Sequence, residues 1–212
     1  MHSQPANVYV DGLNLYHCAL ADTRHWWLDL QALARRLLDP GFKLRRIRYF
    51  TARIGSRRDS GTRLRQQLYL RALETIPELV IHEGHFLSYP AWMPLADPQP
   101  GSPSRVKVMR TEEKGSDANL AAWLTRDAAK RDCQAAFVIT GDSDFTGVIR
   151  MVRREFNFPV HVVDPRRATS RRLRSAATSY RVLGRRLLPQ CQFPNKLRDA
   201  TGVISKPHAW YG

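Results

Sequence analysis

Two short apolar runs, far apart in the chain, each end abruptly in aspartate and glycine. The run at 8–10 (VYV) leads into Asp11, and the run at 137–140 (FVIT) leads through glycine into Asp142 and Asp144. Such β-branched and aromatic runs are typical of buried parallel strands. Ligand and catalytic groups of open α/β sheets gather where the strands end. The sequence therefore predicts an acidic site at the carboxyl edge of a sheet.

Strand and helix patterns alternate along the chain, which predicts an α/β fold with a mainly parallel, doubly wound sheet. The predicted strands are 7–10, 44–50, 79–82 with 85–89, 105–109, 136–140 and 159–163. The predicted helices are 29–38, 62–76, 117–131, 145–156 and 168–187.

Three stretches break this alternation. Residues 51–63 read as a loop of glycine, serine and arginine, and residues 90–104 hold five prolines, which predicts irregular structure there. After residue 187 the periodicity fades, so we expect one domain over 1–187. Residues 188–212 are expected to form a tail that lies along the domain or is partly disordered.

The charge balance favours a polyanionic partner. The chain has 212 residues, with 34 lysines and arginines against 19 acids, for a formal charge of +15. Nucleic acid is the favoured partner because phosphate neutralisation releases counterions; a solubilising surface and anionic lipid are the alternatives. The three cysteines form no CxxC pair, and no run is long enough to cross a membrane. A reducing cytoplasm is the expected location.

The acids following the second run are the most informative. One of Ser143 and Asp144 can cap the next helix. Capping does not explain two neighbouring carboxylates, because like charges this close repel unless a cation lies between them. Asn14 could orient Asp11 or a metal-bound water, or simply cap its own turn.

A third acid is expected at the first turn of the predicted helix 117–131. Helical spacing places Asp117 on the same face as Leu120 and Leu124, so the sequence predicts an inward carboxylate. Lys114 could bridge carboxylates or touch phosphate, with ordinary surface charge as its alternative. Asp164 ends a strand before a proline, and we interpret it mainly as the residue that begins a turn.

The segments VYVDGLNLY, KGSDANLAAWL and VITGDSDFTGVIR, in this order, resemble the NYN domain, a branch of the PIN-like nucleases. The resemblance covers roughly residues 6–165. It implies a Rossmann-like, three-layer α/β/α sandwich and an acidic pocket for Mg²⁺ or Mn²⁺. It also implies ribonuclease activity in many members and an RNA-binding or adaptor role in others. The family's acidic set falls on Asp11, Asp117, Asp142 and Asp144, and Asn14 matches the polar residue after the first acid.

We expect basic loops at the same edge of the sheet to bind the RNA backbone. Those after the second and last predicted strands carry Arg53, Arg57, Arg58, Arg63, Arg166 and Arg167. Ser143 and Lys114 are further candidates for contact with the substrate. Trp92 could stack a base, although packing within its own loop is the alternative.

The sequence thus predicts a ribonuclease that depends on Mg²⁺ or Mn²⁺, with either Asp142 or Asp144 accepting the proton of the attacking water. The number of ions stays open. A non-catalytic RNA-binding or docking module of the same fold is the alternative. A haloacid dehalogenase type of phosphatase is disfavoured because it needs an acid two residues after Asp11, where this chain has Leu13.

Overall fold

A computed structural model describes residues 3–55, 59–99, 101 and 103–211. Its strands are β1 (Gln4–Asp11), β2 (Phe42–Arg53), β3 (Leu79–Pro94), β4 (Arg105–Lys114), β5 (Ala135–Ile139), β6 (Val160–Asp164), β7 (Ser179–Val182), β8 (Lys196–Asp199) and β9 (Gly202–Ser205). Its α-helices are α1 (Gly12–Leu15), α2 (Leu30–Leu37), α3 (Ser60–Leu73), α4 (Ser116–Ala129), α5 (Thr146–Glu155) and α6 (Arg171–Ala176). A π-type turn at Tyr16–Leu20 continues α1, and 3₁₀ turns lie at Ser143–Phe145, Arg185–Gln190 and His208–Trp210.

Seven strands form one sheet in the order β4-β3-β2-β1-β5-β6-β7. All neighbours are parallel except β3 and β4. The central strands β1 and β5 are the apolar runs of the sequence, and they pair directly, with Val10 opposite Ile139. The two acidic motifs therefore leave the sheet side by side.

Helices cover both faces of the sheet, because alternate side chains of β1 enter different cores. Val8 and Val10 pack with α1, α2 and α3, whereas Tyr9 packs with α4, α5 and α6. The predicted three-layer sandwich with a mainly parallel sheet is confirmed.

The second core encloses a buried ion pair. Asp127 of α4 is fully buried and accepts hydrogen bonds from the Arg48 guanidinium at 2.7 and 3.1 Å. The Tyr9 hydroxyl donates to the same carboxylate at 2.8 Å. Arg48 also lies 3.9 Å from the centre of the Trp123 ring. A carboxylate paired in this way tolerates burial, since its charge is matched and hydrogen-bonded.

The structure corrects the prediction for the proline-rich stretch. The strand pieces predicted at 79–82 and 85–89 are one strand that continues through Pro90 to Pro94, and β4 extends from Arg105 to Lys114. Prolines are tolerated here because beyond His85 the strand β3 pairs only with β4. The loop predicted at 51–63 is also shorter, since β2 runs to Arg53 and α3 begins at Ser60.

The helix predicted at 168–187 is wrong. Within this range the only α-helix is α6, a 3₁₀ turn begins at Arg185, and between them β7 pairs in parallel with β6. The open edge of β6 offered backbone partners to residues 179–182, and this tertiary pairing outweighs a helical pattern in the sequence.

The segment after residue 187 is folded against the body of the protein. Strands β8 and β9 form an antiparallel pair, and Arg71 of α3 donates to Asp199 at 2.6 and 2.7 Å. Phe193, Ile204 and Trp210 lie in the core formed with α2 and α3. A domain boundary at 187/188 remains a proposal.

Candidate active site

The acidic motifs meet at the carboxyl edge of the sheet, as the strand order requires. Asp11 is the last residue of β1 and is 5% exposed. Thr140 follows β5, and its hydroxyl donates to Asp11 Oδ2 at 2.9 Å. The same hydroxyl accepts the backbone N–H of Asp142 at 3.1 Å. Thr140 thus ties the acid of the first motif to that of the second, a role the sequence analysis missed.

Asp11 also begins the helix that follows it. Its Oδ1 accepts the backbone N–H of Asn14 at 3.0 Å, which satisfies a free donor at the start of α1. Gly12 is required for this turn, because a Cβ there would lie 2.7 Å from the carbonyl oxygen of Phe50 and from the Tyr49 ring. The carboxylate is therefore held from both sides.

Asn14 joins the two motifs through the backbone. Its Oδ1 accepts the N–H of Gly141 at 2.8 Å, so this side chain fixes the turn that carries Asp142. Asn14 therefore does not cap its own turn, since Asp11 does so, and its side chain orients the neighbouring acidic loop rather than Asp11 itself.

Asp142 and Asp144 differ in exposure and role. Asp142 is half-buried, and its Oδ1 accepts the N–H of Asp144 at 2.9 Å, which caps the 3₁₀ turn at Ser143–Phe145. Asp144 is exposed. Ser143 is half-buried between them, and its carbonyl accepts from Thr146 at 2.6 Å. The cap is therefore Asp142, rather than Ser143 or Asp144 as the sequence suggested.

Asp117 lies in the first turn of α4, but the prediction that it points inward is wrong. The buried residues of this helix include Ser116, Leu120 and Leu124, whereas Asp117 is exposed. The helix is capped instead by Glu113, which accepts from the N–H and the hydroxyl of Ser116 at 2.9 and 2.7 Å. Asp117 is thus free of a capping role and faces the other acids.

The pKa values show that these acids share one electrostatic environment. Burial raises the pKa of Asp11 to about 6, against the lowering effect of the Asn14 N–H and the Thr140 hydroxyl. The charges of Asp117 and Asp142 raise it further. Although Asp117 is exposed as a residue, nearby protein atoms partly desolvate its carboxylate and raise its pKa, and the charges of Asp142, Glu113 and Asp144 raise it further. The charge of Asp142 thus acts on both Asp11 and Asp117, so these carboxylates from three segments lie within electrostatic reach of one another.

The carboxylates are close enough to interact but do not form a closed cage. Within the described residues, no three histidine, cysteine, aspartate or glutamate side chains converge tightly enough to hold an ion by themselves. An open cluster of this kind suits Mg²⁺, which usually keeps several waters and is held by one or two carboxylates together with substrate phosphates.

The predicted RNA contacts have different environments. Arg53 binds Glu83, with Nε to Oε2 at 2.7 Å, and Lys114 Nζ binds Glu112 at 2.8 Å. Arg63 and Arg167 are exposed and make no ion pair with any residue that the structure describes. Arg57 and Arg58 lie outside the described residues.

Arg166 is held against the acidic loop by a buried partner. Asp164 is fully buried and accepts from the Arg166 guanidinium at 2.9 and 3.1 Å and from the Tyr180 hydroxyl at 2.6 Å. A Cβ at Gly141 would lie 2.5 Å from Asp164 Oδ1 and would overlap the Arg166 side chain. Asp164 therefore positions an arginine beneath the Gly141–Asp142 turn, a role that a turn opener does not imply.

Comparison with known proteins agrees with this arrangement. The family model for the NYN domain matches residues 5–184, so the chain belongs to the NYN family, a family of PIN-like nucleases. A curated relative from Pseudomonas putida, named 6-hydroxy-3-succinoylpyridine 3-monooxygenase HspA, is 26% identical over the whole of this chain and 78% of its own length.

A solved structure of a Vibrio parahaemolyticus protein of unknown function shares the fold. It has a TM-score of 0.54 and 18% identity, covering 86% of this chain and 94% of that one. This likeness concerns the fold alone.

Proposed function

We propose that the protein is a metal-dependent ribonuclease that hydrolyses phosphodiester bonds at the acidic edge of the sheet. The observation that supports the proposal is that Asp11, Asp117 and Asp142, from three separate segments, influence one another electrostatically, with raised pKa values for Asp11 and Asp117; Asp144 acts on Asp117 as well. In this protein of formal charge +15, a cluster of carboxylates is energetically unfavourable unless a cation lies between them.

The donor set fits Mg²⁺ or Mn²⁺. All four groups are carboxylates, the hard oxygen ligands that these ions prefer. Asp11 keeps lone pairs for a metal because each of its oxygens accepts a single hydrogen bond within the described residues. When bound, the ion would neutralise the scissile phosphate, lower the pKa of a bound water and stabilise the leaving oxygen.

The chain's own residues would divide the remaining work. Thr140 and Asn14 hold Asp11 and the Gly141–Asp142 turn in fixed positions before substrate arrives. Asp142, which is half-buried, and Asp144, which is exposed, are the candidates for taking the proton of the attacking water.

Arginines around the edge would hold the phosphate backbone. The Arg166 side chain is about one third exposed beside the acidic loop, and Arg63 and Arg167 are exposed without an acidic partner among the described residues. Arg57 and Arg58 belong to this proposal on sequence grounds. Together these cations would offset the repulsion between substrate phosphates and the acids.

Among the residues that the structure describes, none of the helices has the length and apolar character needed to cross a bilayer.

The test is cleavage of end-labelled RNA, single-stranded and hairpin, with Mn²⁺, with Mg²⁺ and with EDTA. We expect cleavage with metal only, and its loss in Asp142→Asn and Asp11→Asn. Glu155→Gln is the matched control, since it removes one negative charge at the far end of α5. Cleavage that persists in Asp142→Asn would mean a contaminating nuclease and refute the proposal.

The other outcomes separate the competing functions. Tight RNA binding without cleavage under any metal would identify a non-catalytic RNA-binding module. Oxygen-dependent conversion of 6-hydroxy-3-succinoylpyridine, with RNA left intact, would instead place the chain with the function named for the Pseudomonas relative.

A further inference from the structure

Strand β3 and its antiparallel partner β4 extend well beyond the other strands of the sheet. Pairing between β2 and β3 ends at Arg53 opposite His85, at the carboxyl edge that carries the acids. Residues 86–94 continue past this edge and pair only with residues 105–113 of β4. We call this two-stranded element, residues 86–94 with 105–113, the arm. At about 3.4 Å per residue, it projects roughly 30 Å beyond the sheet.

The arm is anchored next to the acidic cluster. Its returning strand ends at Lys114, and Gly115, in the left-handed region at φ 101°, turns the chain into α4 with Asp117. Gly84 allows this close approach, because a Cβ there would lie 2.6 Å from the carbonyl oxygen of Lys114 and would overlap the Glu113 carboxylate. A strand of nucleic acid leaving the acids would therefore meet the base of the arm.

One face of the arm continues the face of the sheet on which Asp11 lies. Asp11 pairs with Phe50, which pairs with His82, and paired residues of neighbouring strands share a face. Alternation along β3 then places Trp92 on this face, which we call the front face. The cross-strand register assigns Arg105, Lys107, Met109, Thr111 and Glu113 to it as well.

The front face combines an exposed aromatic ring with unpaired cations. Trp92 is 61% exposed and Met109 is 58% exposed. Lys107 lies directly opposite Trp92, a geometry that separates the Cβ atoms by about 5 Å. Neither Lys107 nor Arg105 forms an ion pair within the described part of the chain, although Arg105 donates to the Trp92 carbonyl at 3.0 Å.

The opposite face also has two cations and one acid, but there the cations are paired. There Glu112 forms ion pairs with both Arg110 and Lys114, so the positive charge of these two side chains is partly neutralised. The acid at the base of the front face, Glu113, is occupied by its hydrogen bonds to Ser116. The front face is therefore the side suited to a polyanion.

We propose that the arm binds single-stranded RNA that leaves the acidic cluster, with a base stacked on Trp92 and a phosphate at Lys107. This deepens the proposed ribonuclease function and rests on it for the identity of the nucleic acid. Stacking on an exposed ring needs an unpaired base, so the arm selects single-stranded over duplex RNA. Trp92 lies seven residues beyond His85, roughly 24 Å from the sheet edge, so it contacts a nucleotide several positions from the cut.

The test is affinity for a labelled single-stranded RNA of about 16 nucleotides, measured in EDTA by fluorescence anisotropy so that no cleavage occurs. We expect Trp92→Ala to weaken binding about tenfold and Trp92→Phe to keep most of the affinity. Lys107→Ala should lower the slope of log affinity against log salt by about 0.7.

Controls come from the opposite face of the arm. Leu87→Ala removes a 48% exposed apolar side chain, and Arg110→Ala removes a cation that is paired with Glu112. Both should bind as the wild type does. A blunt duplex of the same length should show the same affinity for wild type and Trp92→Ala. Equal thermal unfolding of all variants would show that the arm residues do not support the core.

Each result decides the proposal. Unchanged affinity of Trp92→Ala for single-stranded RNA, or an equal loss in Leu87→Ala, would overturn it. A concentration-dependent dimer that disappears in Trp92→Ala, with RNA affinity unchanged, would make the arm a contact between copies of the chain. If no RNA is cut but the Trp92-dependent binding is found, the ribonuclease proposal fails and the arm proposal stands.

Discussion

Replacing Asp11 by asparagine should stabilise the metal-free protein, although it removes a central group of the candidate active site. Burial and neighbouring acids raise the pKa of Asp11 from 3.8 to about 6. The folded protein therefore holds a proton that the unfolded chain releases between about pH 4 and about pH 6. Its stability falls as the pH rises through this window, and the loss is complete above it.

The size of the effect follows from the two pKa values. A pKa raised from 3.8 to about 6 in a residue that is 5% exposed corresponds to roughly 3 kcal/mol of unfavourable free energy at pH 8. Asparagine removes this term, but it loses one of the acceptors used by the Asn14 N–H and the Thr140 hydroxyl. That loss costs roughly 1–2 kcal/mol. A net gain of about 1 kcal/mol is expected, which raises the melting temperature by about 2–4 °C.

The measurement is thermal unfolding of both proteins in EDTA across pH 4 to pH 8. The control is Asp127→Asn, the same substitution at another buried aspartate. Asp127 is paired with Arg48 at 2.7 Å, so its replacement leaves a buried guanidinium unpaired and should cost roughly 3–5 kcal/mol. The two substitutions should thus shift the melting temperature in opposite directions at pH 8.

Stabilisation of the protein by bound metal is a second test of the role of Asp11. Mn²⁺ at about 100 times its dissociation constant should stabilise the wild type by about 2.7 kcal/mol, and Asp11→Asn should lose most of that gain. A lower melting temperature of Asp11→Asn in EDTA at pH 8, together with a pH profile like that of the wild type, would show that Asp11 carries no such strain.

Other contacts lead to further predictions. Asn14→Ala should slow RNA cleavage at least tenfold with less effect on unfolding, because it frees the backbone of the acidic loop; unchanged cleavage rates in a gel assay would contradict this. Gly141→Ala should destabilise the protein by roughly 1–3 kcal/mol in urea unfolding, since its Cβ would overlap Arg166. Trp210→Ala should cost roughly 3–5 kcal/mol in the same assay, since its ring packs 5.9 Å from that of Trp27; a cost below about 1 kcal/mol would mean that the C-terminal segment adds little to the core.

Local sequence patterns were enough to predict the strands at the centre of the sheet and the acids that follow them. Residues 8–10 of β1 and all of β5 are apolar and buried, and a strand segment buried on both faces leaves few alternatives. The acids follow directly from the ends of these strands. Position in the chain was therefore enough to bring Asp11 and Asp142 to one edge.

The peripheral elements could not be predicted in the same way. Residues 179–182 form a strand because β6 had an open edge beside them, and the prolines of β3 are accommodated because that strand has a single neighbour there. Both outcomes depend on which strand lies alongside, a contact between distant residues that local periodicity does not contain.

The sequence by itself determined the α/β class, the NYN segments and the position of Asp11 and Asp142 after the two central strands, because each depends on a few neighbouring residues. Only the tertiary structure revealed that Thr140 and Asn14 connect the acidic motifs, that Asp164 holds Arg166 beneath them, and that the proline-rich stretch belongs to a projecting arm. These features come from hydrogen bonds and strand pairings between residues remote in the chain. Such partners are chosen by how the layers pack, so they become visible only once the chain is folded.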